Sequence, residues 1–250
     1  MNLFKIIKQN AFKYPKKIAL VIESKEYTYE VFYKLILQTI NNLEKNKFDK
    51  NSKVLIVEDN TLAHILALFS LSYINAVAIP TGTYYSNNHL SDIIKITNAN
   101  GIIGNKEHCN FFKKKSKIKN FLCTEKSNKF GFFFKINNSK IYPKKKIDEH
   151  KNYIITMSSG STSKPKPIIF SQNTKIIRYK LFRDLYKIKN QDNFIVTSPI
   201  DHSLGMRTLF VPLLEGCTCV IMRKFLVPKY CELIKKYKIS FSVLVATQNI

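Results

Sequence analysis

Apolar positions along the chain switch repeatedly between helical spacing and short β-branched runs. Residues 3–12 place apolar side chains three and four apart and stop before Pro15, which predicts an opening helix. Residues 18–22 read as a strand, and Glu26-Tyr27-Thr28-Tyr29 as a turn into a second strand or a helix start. Thr28 is placed to cap a helix over 29–44 that turns Val31, Leu35, Ile36, Ile40 and Leu43 inward. A strand at 54–57, a buried helix at 62–73, a strand at 76–79, a helix at 89–98 and a strand from 101 to 103 follow. After Lys151 the alternation resumes. Strands are expected at 153–156 and 168–170, then a helix capped by Asn173 and reaching about 185. Next come a strand at 194–197, a helix at 204–214, a strand at 218–221, a helix at 228–237 opened by Pro228, and a strand at 241–245.

Strands alternating with helices of this length predict an α/β fold: layered, mostly parallel sheets with helices on their faces. Residues 105–150 are less regular. They hold Phe111-Phe112-Lys113-Lys114-Lys115, Phe130-Gly131-Phe132-Phe133-Phe134-Lys135 and Pro143-Lys144-Lys145-Lys146. The expectation is a β-rich connection with its aromatics inward and its lysines in water; the competing reading is a nucleic-acid surface with stacking aromatics. The division is placed near residue 150, giving subdomains over 1–150 and 151–250.

Composition alters this picture at one point. The chain has 250 residues, 45% hydrophobic and 23% charged, which suits a globular protein of one or two domains, but its net charge is +24. Such a charge can steer a protein to nucleic acid, anionic membrane or phosphorylated ligands. Only Arg178, Arg183, Arg207 and Arg223 among the 41 basic residues are arginine. The planar arginine fork is the usual reader of bases and phosphates, so a solvated lysine surface is favoured over a nucleic-acid partner. The five cysteines include no CxxC pair, Cys217 and Cys219 fall on one face of an apolar run, and Glu107-His108-Cys109 is too short to claim a metal. Reduced thiols and no visible secretory signal suit the cytoplasm. Residues 61–91 lack Asp, Glu, Lys and Arg, yet split into a buried helix and a short strand, so no membrane span is expected.

The most informative stretch is Met157-Ser158-Ser159-Gly160-Ser161-Thr162-Ser163-Lys164-Pro165-Lys166-Pro167. Gly160 lets backbone N–H groups converge on an anion, and the hydroxyls add donors without charge. Lys164 and Lys166 offset phosphate charge, and the two prolines keep the exit extended. Alone, a serine-rich loop is more often a linker, but this one lies between two β-branched runs. The glycine and lysine pattern of a Walker loop is absent, and there is no GxSxG elbow. Ser161-Thr162-Ser163-Lys164 has SxxK spacing, but Pro165 and Pro167 forbid the helix that motif opens.

The loop resembles the signature of the adenylate-forming superfamily, the AMP-binding enzymes that include acyl-CoA synthetases, luciferases and peptide-synthetase adenylation domains. Ser158, Ser159, Gly160, Ser161, Thr162, Pro165 and Lys166 match the pattern, while Ser163 and Pro167 stand where the family has glycine. Tyr27-Thr28-Tyr29 with Val31-Phe32 is similar to another family element, as is Ala76-Val77-Ala78-Ile79-Pro80 with Asn75 in place of glycine. Pro199-Ile200-Asp201-His202-Ser203-Leu204-Gly205, followed by Pro212-Leu213-Leu214-Glu215-Gly216, resembles the family's Pro-x-x-His-x-x-Gly segment.

The resemblance implies the two αβα subdomains of the large N-terminal domain of such enzymes, incomplete at the C-terminal side. It implies ATP with Mg2+ and a carboxylic acid as ligands, with CoA or a carrier-protein thiol as acyl acceptor. Ser158, Ser159, Gly160, Ser161, Thr162, Ser163 and Lys166 would then hold the ATP phosphates, and His202 and Gly205 would border the acid or adenylate. No residue is assigned as catalytic, because the family's catalytic lysine and its adenine and ribose motifs have no counterpart before Ile250. The chain thus reads as the N-terminal portion of an AMP-forming acid ligase. A non-catalytic remnant or interaction module, and a basic nucleic-acid-binding protein, stay open as alternatives.

Overall fold

A computed structural model describes residues 2–135, 146–158 and 166–248. The elements in chain order are α1 (Leu3–Lys13), β1 (Ile18–Ile22), β2 (Lys25–Thr28), α2 (Tyr29–Lys45), β3 (Lys53–Val57), α3 (Leu62–Tyr73), β4 (Val77–Thr81), α4 (Asn87–Thr97), β5 (Gly101–Gly104), α5 (Lys106–Lys115), β6 (Asn120–Cys123) and β7 (Gly131–Phe132). They continue with β8 (Asn152–Ser158), β9 (Lys166–Ser171), α6 (Gln172–Leu185), β10 (Asn193–Val196), α7 (Ser203–Glu215), β11 (Thr218–Ile221), α8 (Val227–Tyr237) and β12 (Phe241–Ser242).

The chain folds as two compact units. One contains residues 3–34 and 174–250, the other residues 35–173. The division expected near residue 150 falls inside the second unit. The reason is pairing: β8 runs parallel to β4, with Ala78 beside Ile154, while β1 from the start of the chain runs parallel to β11.

The second unit is a seven-stranded sheet in the order β7-β6-β5-β3-β4-β8-β9. All its pairs are parallel except β8 with β9. Leu55, Val57, Ile79, Ile102 and Ile155 from the strands pack with Leu90, Ile93, Cys109 and Phe112 from α4 and α5. Every residue of α3 except Leu62 is buried. Burial all round accounts for its lack of charge, and no helix among the described residues is long and apolar enough to cross a membrane. Thr61 caps α3 by accepting the His64 N–H.

The first unit is a five-stranded sheet, β12-β10-β11-β1-β2, in which only the β1–β2 pair is antiparallel. Pro212 sits inside α7, where it removes one backbone donor. The end of that helix is closed from elsewhere. The Asn10 amide donates to the carbonyls of Leu213 and Leu214, both at 3.0 Å, and Lys17 Nζ reaches the Gly216 carbonyl at 2.7 Å. Gly216 ends α7 at φ +88°, a left-handed cap that suits glycine.

Several local expectations need correction. Val31 is exposed, and the buried stripe of α2 is Tyr29, Phe32, Ile36, Ile40 and Leu43. Starting the helix at Tyr29 sets that 3.6-residue stripe, and Val31 lies off it; Thr28 does accept the Val31 N–H at 3.3 Å. Residues 106–115 form a helix, capped by Asn105, where a β-rich connection was expected. Its buried stripe is only His108, Cys109 and Phe112, too narrow to announce itself. The aromatics of this region turn inward only in part: Phe112, Phe130 and Phe133 are buried, Phe111 and Phe132 are half-buried and Phe134 is exposed, while Lys113, Lys114 and Lys115 face water. Asn173 is not a cap: β9 runs directly into α6 at Gln172, and the Asn173 N–H donates to the Glu149 carbonyl. The last strand is short, Phe241–Ser242.

Candidate functional site

The candidate residues fall into two groups, one in each unit. In the second unit, β8 and β9 pair antiparallel from Asn152 with Ser171 to Ser158 with Lys166. Ser159, Gly160, Ser161, Thr162 and Ser163 lie outside the described residues; Ser158 and Lys166 are the two ends that flank them. Ser158 Oγ donates to the Lys166 carbonyl at 3.2 Å. Met157 packs on the core beside Ile155, which anchors the outgoing strand. β9 is the edge of the sheet, so Pro167, opposite Met157, is tolerated despite its missing donor.

The segment 159–165 follows the carboxyl end of β8, the same end at which β3, β4, β5 and β6 finish. Open parallel sheets bind ligands outside the carboxyl ends of their strands. The connections there are rigidly built. Asp59 Oδ1 accepts from the N–H of Thr83 at 3.0 Å and from its hydroxyl at 2.6 Å, joining the loops after β3 and β4. Thr61 Oγ1 donates to Glu58 Oε2 at 2.9 Å, and His64 Nδ1 lies 2.9 Å from the Glu58 carbonyl. Sequence reasoning missed this cluster. Its only signal is the polar run Glu58-Asp59-Asn60-Thr61 between two apolar elements.

In the first unit, His202 occupies the N-cap position of α7 at φ −93° and ψ 155°, and its side chain makes no capping bond. The His202 N–H donates to the Pro199 carbonyl at 3.2 Å, a tight turn into the helix. The imidazole is half exposed, with Nε2 4.0 Å from Oδ2 of Asp201, whose carboxylate is buried. Gly205 is buried in the first turn of α7. A Cβ there would sit 2.1 Å from the Pro199 carbonyl oxygen and 2.6 Å from that of Ser198. Only glycine lets the helix seat on that turn, which is how the 199–205 segment fixes His202 at the helix start. His202 and Gly205 are therefore brought together, the first presented to solvent and the second holding the backbone that presents it.

The same unit carries a feature that the sequence did not single out. Lys175 on α6 is 9% exposed, and its Nζ lies 3.1 Å from Sδ of Met206 on α7. Burial first, and then the nearby Arg178 and Arg207 charges, lower its pKa to about 7. Tyr179 donates its hydroxyl to Glu215 Oε2 at 2.5 Å, binding α6 to the end of α7. Cys217 and Cys219 are packing groups: both are fully buried, and burial pushes the Cys217 thiol up to about 12.

The second unit is an open, mostly parallel α/β sheet, a class of fold that binds ligands outside the carboxyl ends of its strands. The family model described as AMP-binding enzyme matches residues 7–248, and the chain belongs to that family. Among curated proteins it is 22% identical over 243 residues to 4-coumarate–CoA ligase 3 of Arabidopsis thaliana, covering 92% of this chain and 43% of the relative. It is 24% identical over 235 residues to an acyl–CoA ligase of Bacillus subtilis (strain 168), covering 94% and 47%. The chain thus spans less than half the length of these relatives. Among solved structures, a long-chain-fatty-acid CoA ligase from Rhodopseudomonas palustris superimposes with a TM-score of 0.90 at 14% identity, over 99% of this chain and 64% of that one. The O-succinylbenzoate coenzyme A synthetase of Bacillus subtilis, in complex with AMP, gives 0.84 at 16% identity, over 97% and 61%. The fold is that of the acyl-CoA ligases.

Proposed function

We propose that this chain supplies the phosphate-gripping and acid-facing part of an AMP-forming acid ligase. In the reaction, a carboxylate attacks the α-phosphate of ATP, the bond to the β-phosphate breaks, and acyl-adenylate and pyrophosphate form. A thiol such as that of CoA then displaces AMP from the acyl carbon. The observation that supports the proposal is the antiparallel pairing of β8 with β9, which sets Ser158 and Lys166 opposite each other at the end of β8 where the parallel strands of the sheet also finish. Membership of the AMP-binding family supports the use of ATP, and the CoA ligases among the relatives support the acid and the thiol.

In this proposal Ser158 to Ser163 and Lys166 hold the β- and γ-phosphates. The Lys166 side chain is solvent-facing at the end of an extended strand, where a cation can meet phosphate oxygens as they gain charge. His202 borders the acid, and Gly205 fixes its position. Magnesium would enter as the ion bound to ATP.

Acid-dependent exchange of labelled pyrophosphate into ATP tests the proposal. A panel of aromatic and aliphatic acids should yield exchange with at least one member. If the chain fails to bind ATP in equilibrium dialysis, the proposal is lost.

A further inference from the structure

The second unit carries an open groove of about 710 Å³ between the C-terminal ends of α4 and α5. The turns that line it lead into the amino ends of β5 and β6, so it lies at the opposite end of the sheet from Ser158. Ile94 and Ala99 are its buried apolar part, and Lys95, Lys114, Lys115 and Lys117 stand exposed around it. None of the lining side chains is a carboxylate. Asp92 lies beside the groove, with Oδ1 3.6 Å from Lys95 Nζ. Lys115 Nζ sits over the Phe111 ring at 4.9 Å, and Lys114 and Lys117 make no ion pair among the described residues. Lysines in the last turn of a helix offset its macrodipole, but that role does not absorb four of them. The two helix ends together supply about one negative charge and Asp92 a second, which leaves about two positive charges around the concavity. The groove also presents bare acceptors. The Lys114 and Lys115 carbonyls would receive the N–H groups of Ile118 and Lys119 if α5 continued. Instead the Ile118 N–H donates to Ser116 Oγ at 3.3 Å and the Lys119 N–H to the Asn100 carbonyl at 3.0 Å. At the end of α4 the Ala99 N–H turns back to the Ile94 carbonyl at 3.1 Å, which leaves the Lys95 carbonyl open in the same way.

We propose that this groove docks an acidic, extended segment of a partner protein. Its carboxylates meet the four ammonium groups, and its backbone N–H groups reach the helix-end carbonyls of Lys95, Lys114 and Lys115. The pairing of cations with bare carbonyls selects this class of partner. A phosphate ester offers no donor to a carbonyl and is repelled by it, whereas an acidic peptide carries anions and N–H donors together. No arginine lines the groove, so the bidentate fork that favours phosphate is absent. Lysine stems are flexible, and they suit a segment defined by its acidic composition more than by one fixed geometry. Because the groove and Ser158 lie at opposite ends of the sheet, the proposal does not depend on the ligase function, and its occupant does not compete with a nucleotide.

The probe is fluorescein-labelled octaglutamate, titrated with the whole chain and read by fluorescence anisotropy at low salt. Octaglutamine and octauridylate with the same label are the controls. Octaglutamate should bind at least about 10-fold more tightly than either. Lys114→Gln, Lys115→Gln and Lys117→Gln together should weaken it by about 10-fold, the combined effect of three exposed ion pairs. Lys180→Gln, Lys187→Gln and Lys235→Gln together remove the same charge elsewhere on the surface and should change the affinity by less than about twofold. Acetic anhydride labelling of the parent protein, read by mass spectrometry, locates the peptide without any substitution. Saturating octaglutamate should protect Lys114 and Lys117 and leave Lys187 reactive. Equal weakening by the two triple variants, or no protection at Lys114 and Lys117, would overturn the groove assignment and leave attraction to the net charge alone. Octauridylate binding as tightly as octaglutamate would overturn the peptide assignment in favour of a nucleic acid.

Discussion

Ser158 and Lys166 are opposed across the last rung of the β8–β9 ladder, where the Ser158 hydroxyl donates to the Lys166 carbonyl at 3.2 Å. That rung fixes the two stems of the segment proposed to hold phosphate. It occupies the backbone of Lys166 and leaves its side chain exposed for a ligand.

Lys166→Ala therefore tests chemistry separately from folding. Pyrophosphate exchange should fall by about 10²-fold, the usual loss when one preorganised charge stabiliser is removed. Circular dichroism and the melting temperature should stay close to the parent. Full exchange activity in the variant would remove Lys166 from the phosphate site.

Gly205→Ala tests the seat of α7. The added methyl meets the Pro199 carbonyl at 2.1 Å, so backbone must move, at a cost of about 1–3 kcal/mol. Denaturant titration should show the loss of stability. The acid should bind more weakly, because the same shift displaces His202. A variant as stable as the parent would mean that the turn yields freely.

Tyr29→Phe removes a single oxygen from the core of the first unit. That hydroxyl donates to the Cys217 carbonyl at 2.6 Å, and the ring is fully buried. Unfolding free energy should drop by about 1–2 kcal/mol, since a buried carbonyl loses its donor without gaining water. No change on chemical denaturation would show that the carbonyl finds another partner.

Lys175 makes stability depend on pH in a defined direction. Its folded pKa of about 7 lies below its unfolded value of about 10.4, because burial and the facing Arg178 and Arg207 charges disfavour the ammonium. Between those two values the unfolded chain binds more protons, so this group raises stability as pH increases. Below pH 7 the ammonium is present in both states, and its burial cost is fully felt. Lys175→Met should thus stabilise the protein at pH 6 by on the order of 3 kcal/mol, with the gain shrinking toward zero near pH 10. Paired melts of the two proteins across that range check the sign, and a gain that grows with pH would refute it.

Local patterns are legible where one residue type admits one physical role. The β-branched runs around residues 154 and 169 gave the two paired strands, and Pro228 gave the start of a helix. The α5 helix escaped notice because three buried positions among lysines produce little periodicity. The Asp59–Thr83 link escaped because its partners are 24 residues apart and each is an ordinary loop residue.

The sequence alone determined the α/β rhythm, the hydroxyl-rich segment and the His202 turn, because each depends on side chains within a few residues of one another. Tertiary structure decided which strands share a sheet, as when β1 chose β11 about two hundred residues away and β8 joined β4. It also decided that Lys175 on α6 is buried against Met206 on α7. Long-range pairing follows from burying whole faces against one another, and no local spacing encodes which face will be met.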